Sequence, residues 1–90
     1  MNKIILITGC SSGFGMLTSA RLAAAGHTIY ATMRNMQKQD TLKLELKRRN
    51  TECHILPLDV TNDNSINKVI NTIEKQDSRL DVLINNAGYG

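Results

Sequence analysis

The stretch Ile4-Ile5-Leu6-Ile7-Thr8-Gly9-Cys10-Ser11-Ser12-Gly13-Phe14-Gly15 decides the fold. Lys3 to Thr8, carried by four apolar residues, reads as a short buried strand, which runs directly into a glycine-rich turn. Beyond it lies a segment rich in alanine and leucine, from Phe14 to Ala25, which reads as a helix. Strand, glycine turn and helix start, in that order, build a phosphate cradle. Glycine lets the chain turn sharply and lets backbone N–H groups approach a ligand that a Cβ would hold off. The new helix adds its unsatisfied N–H groups and the positive end of its dipole. Nucleotide binding through phosphates is therefore expected.

The rest of the chain alternates in the same way. Gly26 is placed to end the first helix in a left-handed conformation. Thr28 to Met33 reads as a second strand, carried by β-branched and aromatic residues. Met36 to about Arg49 reads as a helix with Leu42 and Leu46 one turn apart and Leu44 off that stripe. Cys53 to Leu56 is a third strand, which Pro57 and Asp59 are expected to end. Ile66, Val69, Ile70 and Ile73 form one apolar helical face, with Asn64 or Ser65 as the expected cap. Val82-Leu83-Ile84 is a fourth strand, closing on Asn85-Asn86-Ala87-Gly88. The order βαβαβαβ predicts an α/β fold, a Rossmann-type parallel sheet forming half of a doubly wound domain.

Composition narrows the function classes. A chain of 90 residues is at most one small domain, and its 41% hydrophobic and 21% charged residues suit a folded soluble chain. The net charge of +3 gathers at Lys43, Lys47, Arg48 and Arg49, where cations complement a helix C-terminus. No aromatic residues interleave with them, so no nucleic-acid partner is expected. No segment approaches a membrane span, and the apolar run after Met1-Asn2-Lys3 is too short for a signal peptide. Cys10 and Cys53 have neither metal-site nor redox-pair spacing, which favours a reduced, cytoplasmic setting with no bound metal. Cys10 itself reads as a packing residue.

Three motifs, Thr8-Gly9-Cys10-Ser11-Ser12-Gly13-Phe14-Gly15, Asp59-Val60 and Asn85-Asn86-Ala87-Gly88, stand in an order that resembles the short-chain dehydrogenase/reductase family. Together with Tyr30-Ala31-Thr32-Met33-Arg34, the first of them is most similar to the hydroxysteroid and retinol dehydrogenase branch. The resemblance implies that Gly9 makes the turn and that Ser11, Ser12, Gly13, Phe14 and Gly15 surround a pyrophosphate. It implies that Asp59 accepts from the adenine amino group, with the backbone of Val60 at the ring edge. Asn86, Ala87 and Gly88 would lie along the adenine-side ribose, and Asn85 would tie strand to loop.

Cofactor choice turns on the end of the second strand. An NAD enzyme usually carries Asp or Glu there, about 20 residues past the glycine turn, for the ribose 2′-hydroxyl. This chain has Met33, without charge or acceptor, followed by Arg34, whose guanidinium can grip phosphate oxygens in a fork. NADP(H) is expected in preference to NAD(H).

Members of this family transfer hydride with a Tyr-x-x-x-Lys pair and a serine beyond the Asn-Asn-Ala-Gly motif. Tyr30 and Tyr89 have no such partner, and His27 and His54 read as turn and strand residues, so no catalytic residue is expected in this chain. The chain is expected to be the coenzyme-binding piece of a longer oxidoreductase acting on a small alcohol or carbonyl compound. The alternative is a non-catalytic NADP(H)-sensing or protein-interaction module. A methyltransferase shares the alternating layout but wants an acidic residue at Met33 and has no use for Asn85-Asn86-Ala87-Gly88. In the strand order that the resemblance implies, the apolar fourth strand would pair on its other side with a fifth strand outside this chain, and that uncovered edge predicts a homo-oligomer.

Overall fold

The computed structural model describes residues 2–86. Strands β1 (Ile4–Ile7), β2 (Thr28–Met33), β3 (His54–Pro57) and β4 (Val82–Ile84) form one parallel sheet in the order β3-β2-β1-β4. Helices α1 (Gly13–Ala24), α2 (Gln39–Arg48) and α3 (Asp63–Asp77) make the crossovers. The expected α/β architecture is therefore present. From β1 the chain steps outward through β2 to β3, then returns to the other side of β1 for β4. In open parallel sheets ligands bind at such a reversal, outside the carboxyl ends of the strands.

Side-chain alternation divides the core in two. Ile5, Ile7, Ile29, Ala31 and Met33 face α1 and α2, where Ala20, Ala23, Leu42 and Leu46 meet them. Ile4, Leu6 and Tyr30 face the other way, onto Val69 and Ile73 of α3 and onto Leu58. Small residues on α1 let it approach the sheet closely, and Ser19 satisfies its buried hydroxyl by donating to Gly15 O at 2.7 Å. Tyr30 lies within the sheet, stacked on His54, and its hydroxyl donates to Gln76 and Asp77 at the end of α3. Burial, then the Asp77 carboxylate, pushes that phenol above its ordinary pKa, which leaves it a structural tie. His27 accepts from Lys3 N at 3.1 Å, in keeping with a turn residue.

Three local expectations need correction. The cap of α3 is Asn62, whose side chain accepts from Ser65 N, and not Asn64 or Ser65, which lie inside the helix. The segment from Met36 opens as a 3-10 turn over Met36–Lys38, because Asn35 takes the Gln37 N–H at 2.9 Å, and becomes α-helical only at Gln39. Pro57 belongs to β3 instead of stopping it. It pairs with Met33 on an edge strand, where a missing N–H costs little, and Leu58 N supplies the bond to Met33 O.

Asp81, a residue the sequence reading passed over, clamps the bottom of the sheet. Its carboxylate accepts from Ile4 N at 2.8 Å and from Arg79 at 3.0 Å, which holds its carboxyl below the usual aspartate range. Among the described residues no helix is long and apolar enough to cross a membrane.

Candidate functional site

Because the strands are parallel, Thr8, Arg34, Asp59 and Asn85 all emerge at the same edge of the sheet. The loop after β1 is braced from both neighbours. Cys10 N donates to Thr32 O of β2 at 2.9 Å, and Thr8 N donates to Ile84 O of β4 at 3.1 Å. Thr8 Oγ1 donates to Asn85 Oδ1 at 3.0 Å and accepts from Asn86 N at 2.9 Å. Asn85 thus ties strand to loop, the role expected of it. Asn86 adds a contact that sequence did not announce, its side-chain amide donating to Gly9 O at 3.2 Å.

Glycine is required here by space as well as by angle. Gly9 and Gly13 have φ of +68° and +60°, in the left-handed region. At Gly15 a Cβ would stand 2.3 Å from Gly9 O and 2.6 Å from the Asn86 amide nitrogen. An added Cβ on Gly13 would meet nothing within 4 Å, so that side of the cradle is open. Helix α1 starts in this cradle with Ser12 as N-cap, and neither a side-chain cap bond nor an acidic residue serves its first turn. By contrast α3 has the Asn62 cap and Asp63 in its first turn. The N-terminus of α1 therefore offers backbone donors and positive potential to an external anion. Ser11 is half-buried, while Ser12, Gly13 and Phe14 are exposed.

Beneath the cradle lies Cys10, fully buried, its thiol donating to Ile7 O and meeting Ser19 Oγ at 3.2 Å. Burial pushes the Cys10 thiol above its ordinary pKa, against the lowering effect of Ser19, so it is a packing residue. Burial, with Cys10 nearby, pushes the Cys53 thiol up to about 12.

A second polar surface is built from two strand ends. Asp59 accepts from both Thr61 N at 3.0 Å and Thr61 Oγ1, while its own N–H donates to Ser65 at 2.9 Å. Those Thr61 bonds, together with the Arg34 guanidinium, hold its carboxyl below the usual range. Arg34 Nε lies 4.0 Å from Asp59 Oδ2, with 80% of the Arg34 side chain exposed. Val60 is exposed beside them. Met33 does not share this surface: it is 1% exposed, packed in the core under α2. The end of β2 therefore speaks to solvent through Arg34, and an acidic residue at 33 would be a buried carboxylate. Ala87 and Gly88 lie outside the described residues.

The basic cluster on α2 is partly neutralised. Glu45 pairs with Arg48 at 3.0 Å and Arg49 at 2.6 Å, the arrangement of a solvated helix face. A separate groove of about 980 Å³, between Thr28, Cys53 and the Lys43–Lys47 face of α2, lies at the opposite end of the strands from the cradle. Among the described residues no cluster of His, Cys, Asp or Glu is arranged to hold a metal.

Comparison with known proteins agrees with this geometry. A family model described as short chain dehydrogenase matches residues 3–90. The chain is 40% identical over 88 residues to 3-ketodihydrosphingosine reductase of Bacteroides thetaiotaomicron, covering 98% of this chain and 29% of that protein. It is 37% identical over 87 residues to cyclopentanol dehydrogenase of Comamonas testosteroni, covering 97% of this chain and 35% of that protein. A metagenomic short-chain oxidoreductase solved in complex with NADP superposes with a TM-score of 0.87 at 26% identity, over 98% of this chain and 40% of that one. The chain spans about a third of the length of the curated relatives it matches.

Proposed function

The chain belongs to the short-chain dehydrogenase/reductase family, and from that membership we propose that it is the NADP(H)-holding part of an oxidoreductase acting on an alcohol or carbonyl substrate. The nicotinamide supplies or accepts the hydride when bound. This chain's own residues bind and orient. Ser11, Ser12, Gly13, Phe14 and Gly15 would hold the pyrophosphate against the start of α1, with Gly9 making the turn. Asp59 and the backbone of Val60 would meet the adenine, and Asn86, with Ala87 and Gly88, would border its ribose. Arg34 would take the 2′-phosphate, and the segment Tyr30 to Arg34 supports a hydroxysteroid- or retinol-dehydrogenase-like branch.

The observation that carries the reading is the meeting at one sheet edge of an uncapped helix start, a glycine loop too tight for a Cβ, and an exposed arginine. Residues of this kind fit a phosphorylated dinucleotide. A hydrogen bond to a charged group is worth about 1.5–3 kcal/mol. Arg34→Ala should then weaken NADPH binding by roughly ten- to a hundredfold and leave NADH nearly unchanged. Calorimetric titration of both cofactors checks it; equal losses for the two would remove the NADP(H) assignment. Hydride transfer is checked in the sequence encoded downstream of Gly90, where a serine and Tyr-x-x-x-Lys are expected. Their absence from a continuing reading frame would leave binding without that chemistry.

A cytoplasmic setting belongs to the same proposal, supported by two cysteines that are free thiols. So does self-association. Strand β4 is hydrogen-bonded on its β1 side, and Leu83, on the face that α3 covers, is 58% exposed. An exposed apolar side chain on a sheet face favours association. Sedimentation at tens of micromolar is expected to show dimers or larger species. A clean monomer would contradict the oligomer.

A further inference from the structure

Arg34 and Asp59 sit on the ends of adjacent strands, β2 and just past β3, with guanidinium and carboxylate at 4.0 Å. We propose that Asp59 sets cofactor selectivity by competing with the 2′-phosphate for Arg34, so that it restrains the preference for NADP(H). This rests on the assignment of Arg34 to the 2′-phosphate. Asp59 Oδ1 accepts from Thr61 N and Thr61 Oγ1, which orients the carboxylate so that Oδ2 is the atom that faces Arg34. When a ligand without 2′-phosphate occupies the site, Arg34 keeps this partner and no cation is stranded beside the ribose. A ligand carrying the phosphate must draw the guanidinium from Asp59 or share it, with a dianion placed near a carboxylate.

Two effects of the carboxylate point the same way, competition for Arg34 and direct repulsion of the phosphate. The opposing effect, Asp59 holding Arg34 in a useful orientation, is small. The pair is a single contact at 4.0 Å with the arginine side chain 80% exposed, so it orders the guanidinium little and competes for it modestly, and direct repulsion of the phosphate adds to that competition. Asp59→Asn keeps the shape and an acceptor for Thr61 and removes the charge.

Adenosine 2′,5′-bisphosphate and 5′-AMP are the probes, because they differ only in the 2′-phosphate and need no nicotinamide site. Their affinities are measured on the full-length wild-type protein and on its Asp59→Asn, Arg34→Ala and double variants. Asp59→Asn is expected to raise the ratio of bisphosphate to AMP affinity by about three- to tenfold, the scale of one screened charge nearby. In the Arg34→Ala background the same change is expected to raise it by less, because only repulsion is left. In the wild-type protein, the Arg34 Nε–H resonance should move on adding the bisphosphate and stay in place with AMP, a readout that needs no variant. An unchanged or lowered ratio in Asp59→Asn, or an Nε–H resonance that responds to both ligands alike, overturns the proposal. If Arg34→Ala leaves the wild-type ratio intact, the assignment of Arg34 is wrong, and the competition falls with it.

Discussion

Gly15→Ala is expected to abolish nucleotide binding while leaving the sheet recognisable. The added Cβ would stand 2.3 Å from Gly9 O and 2.9 Å from Gly9 C, which are backbone atoms of the turn itself. Ordinary contact needs about 3.4 Å or more, so α1 and the loop must separate by roughly an ångström. Overpacking of this kind costs about 1–3 kcal/mol in stability. The larger consequence is geometric. The N-terminal turn of α1 and the loop have to present N–H groups to one phosphate together, and the shift also disturbs the Asn86 bond to Gly9 O. A loss of more than about a hundredfold in NADPH affinity is expected. Titration with NADPH reads the binding, and far-ultraviolet circular dichroism reads the fold. Near-normal affinity in a folded variant would show that the cradle is not the phosphate site. Gly13→Ala is the companion: with open space around the position, its cost comes from the φ of +60° alone.

Ile73→Ala is expected to be the most damaging change to stability. Ile73 is 1% exposed and, with Val69, seals one face of the sheet over Ile4, Leu6 and Tyr30. Truncating a buried isoleucine costs about 2–5 kcal/mol, through lost burial and the cavity left behind. Native domains have about 5–15 kcal/mol in total, so a loss of this size removes a large share of the stability. Urea denaturation followed by circular dichroism measures the loss. Leu44→Ala, on the exposed side of α2, is the control, and a change within about 0.5 kcal/mol is expected there. Equal effects at the two positions would mean that α3 does not cover that face.

The element order was legible in sequence because each segment carries a local period of its own. Ile66, Val69, Ile70 and Ile73 recur at helical spacing, and the strands are short runs of apolar or β-branched residues between turn formers. Once strand and helix alternate, right-handed crossovers leave few topologies, and the sheet followed. The glycine loop was legible for the same local reason, since it lies within one stretch of chain between β1 and α1.

Boundaries and caps were less legible, because they depend on which of several neighbouring polar side chains reaches a given N–H. Asn62, Asn64 and Ser65 are alike in sequence, and only the path out of the Asp59 turn puts Asn62 in the capping position. Met33 is the clearest case of a site reading that sequence could not complete. Its place at the end of β2 was correct, but strand alternation and the packing of α2 turn its side chain into the core. Arg34, one residue further on, is left as the group that faces solvent. The pairing of Arg34 with Asp59, the tie from Asn86 to Gly9 and the clamp from Asp81 to Ile4 join residues separated by 25, 77 and 77 positions. No local pattern records contacts of that kind. They exist because parallel pairing brings distant strand ends side by side, at the top and at the bottom of the sheet, and that placement is the property of the tertiary structure alone.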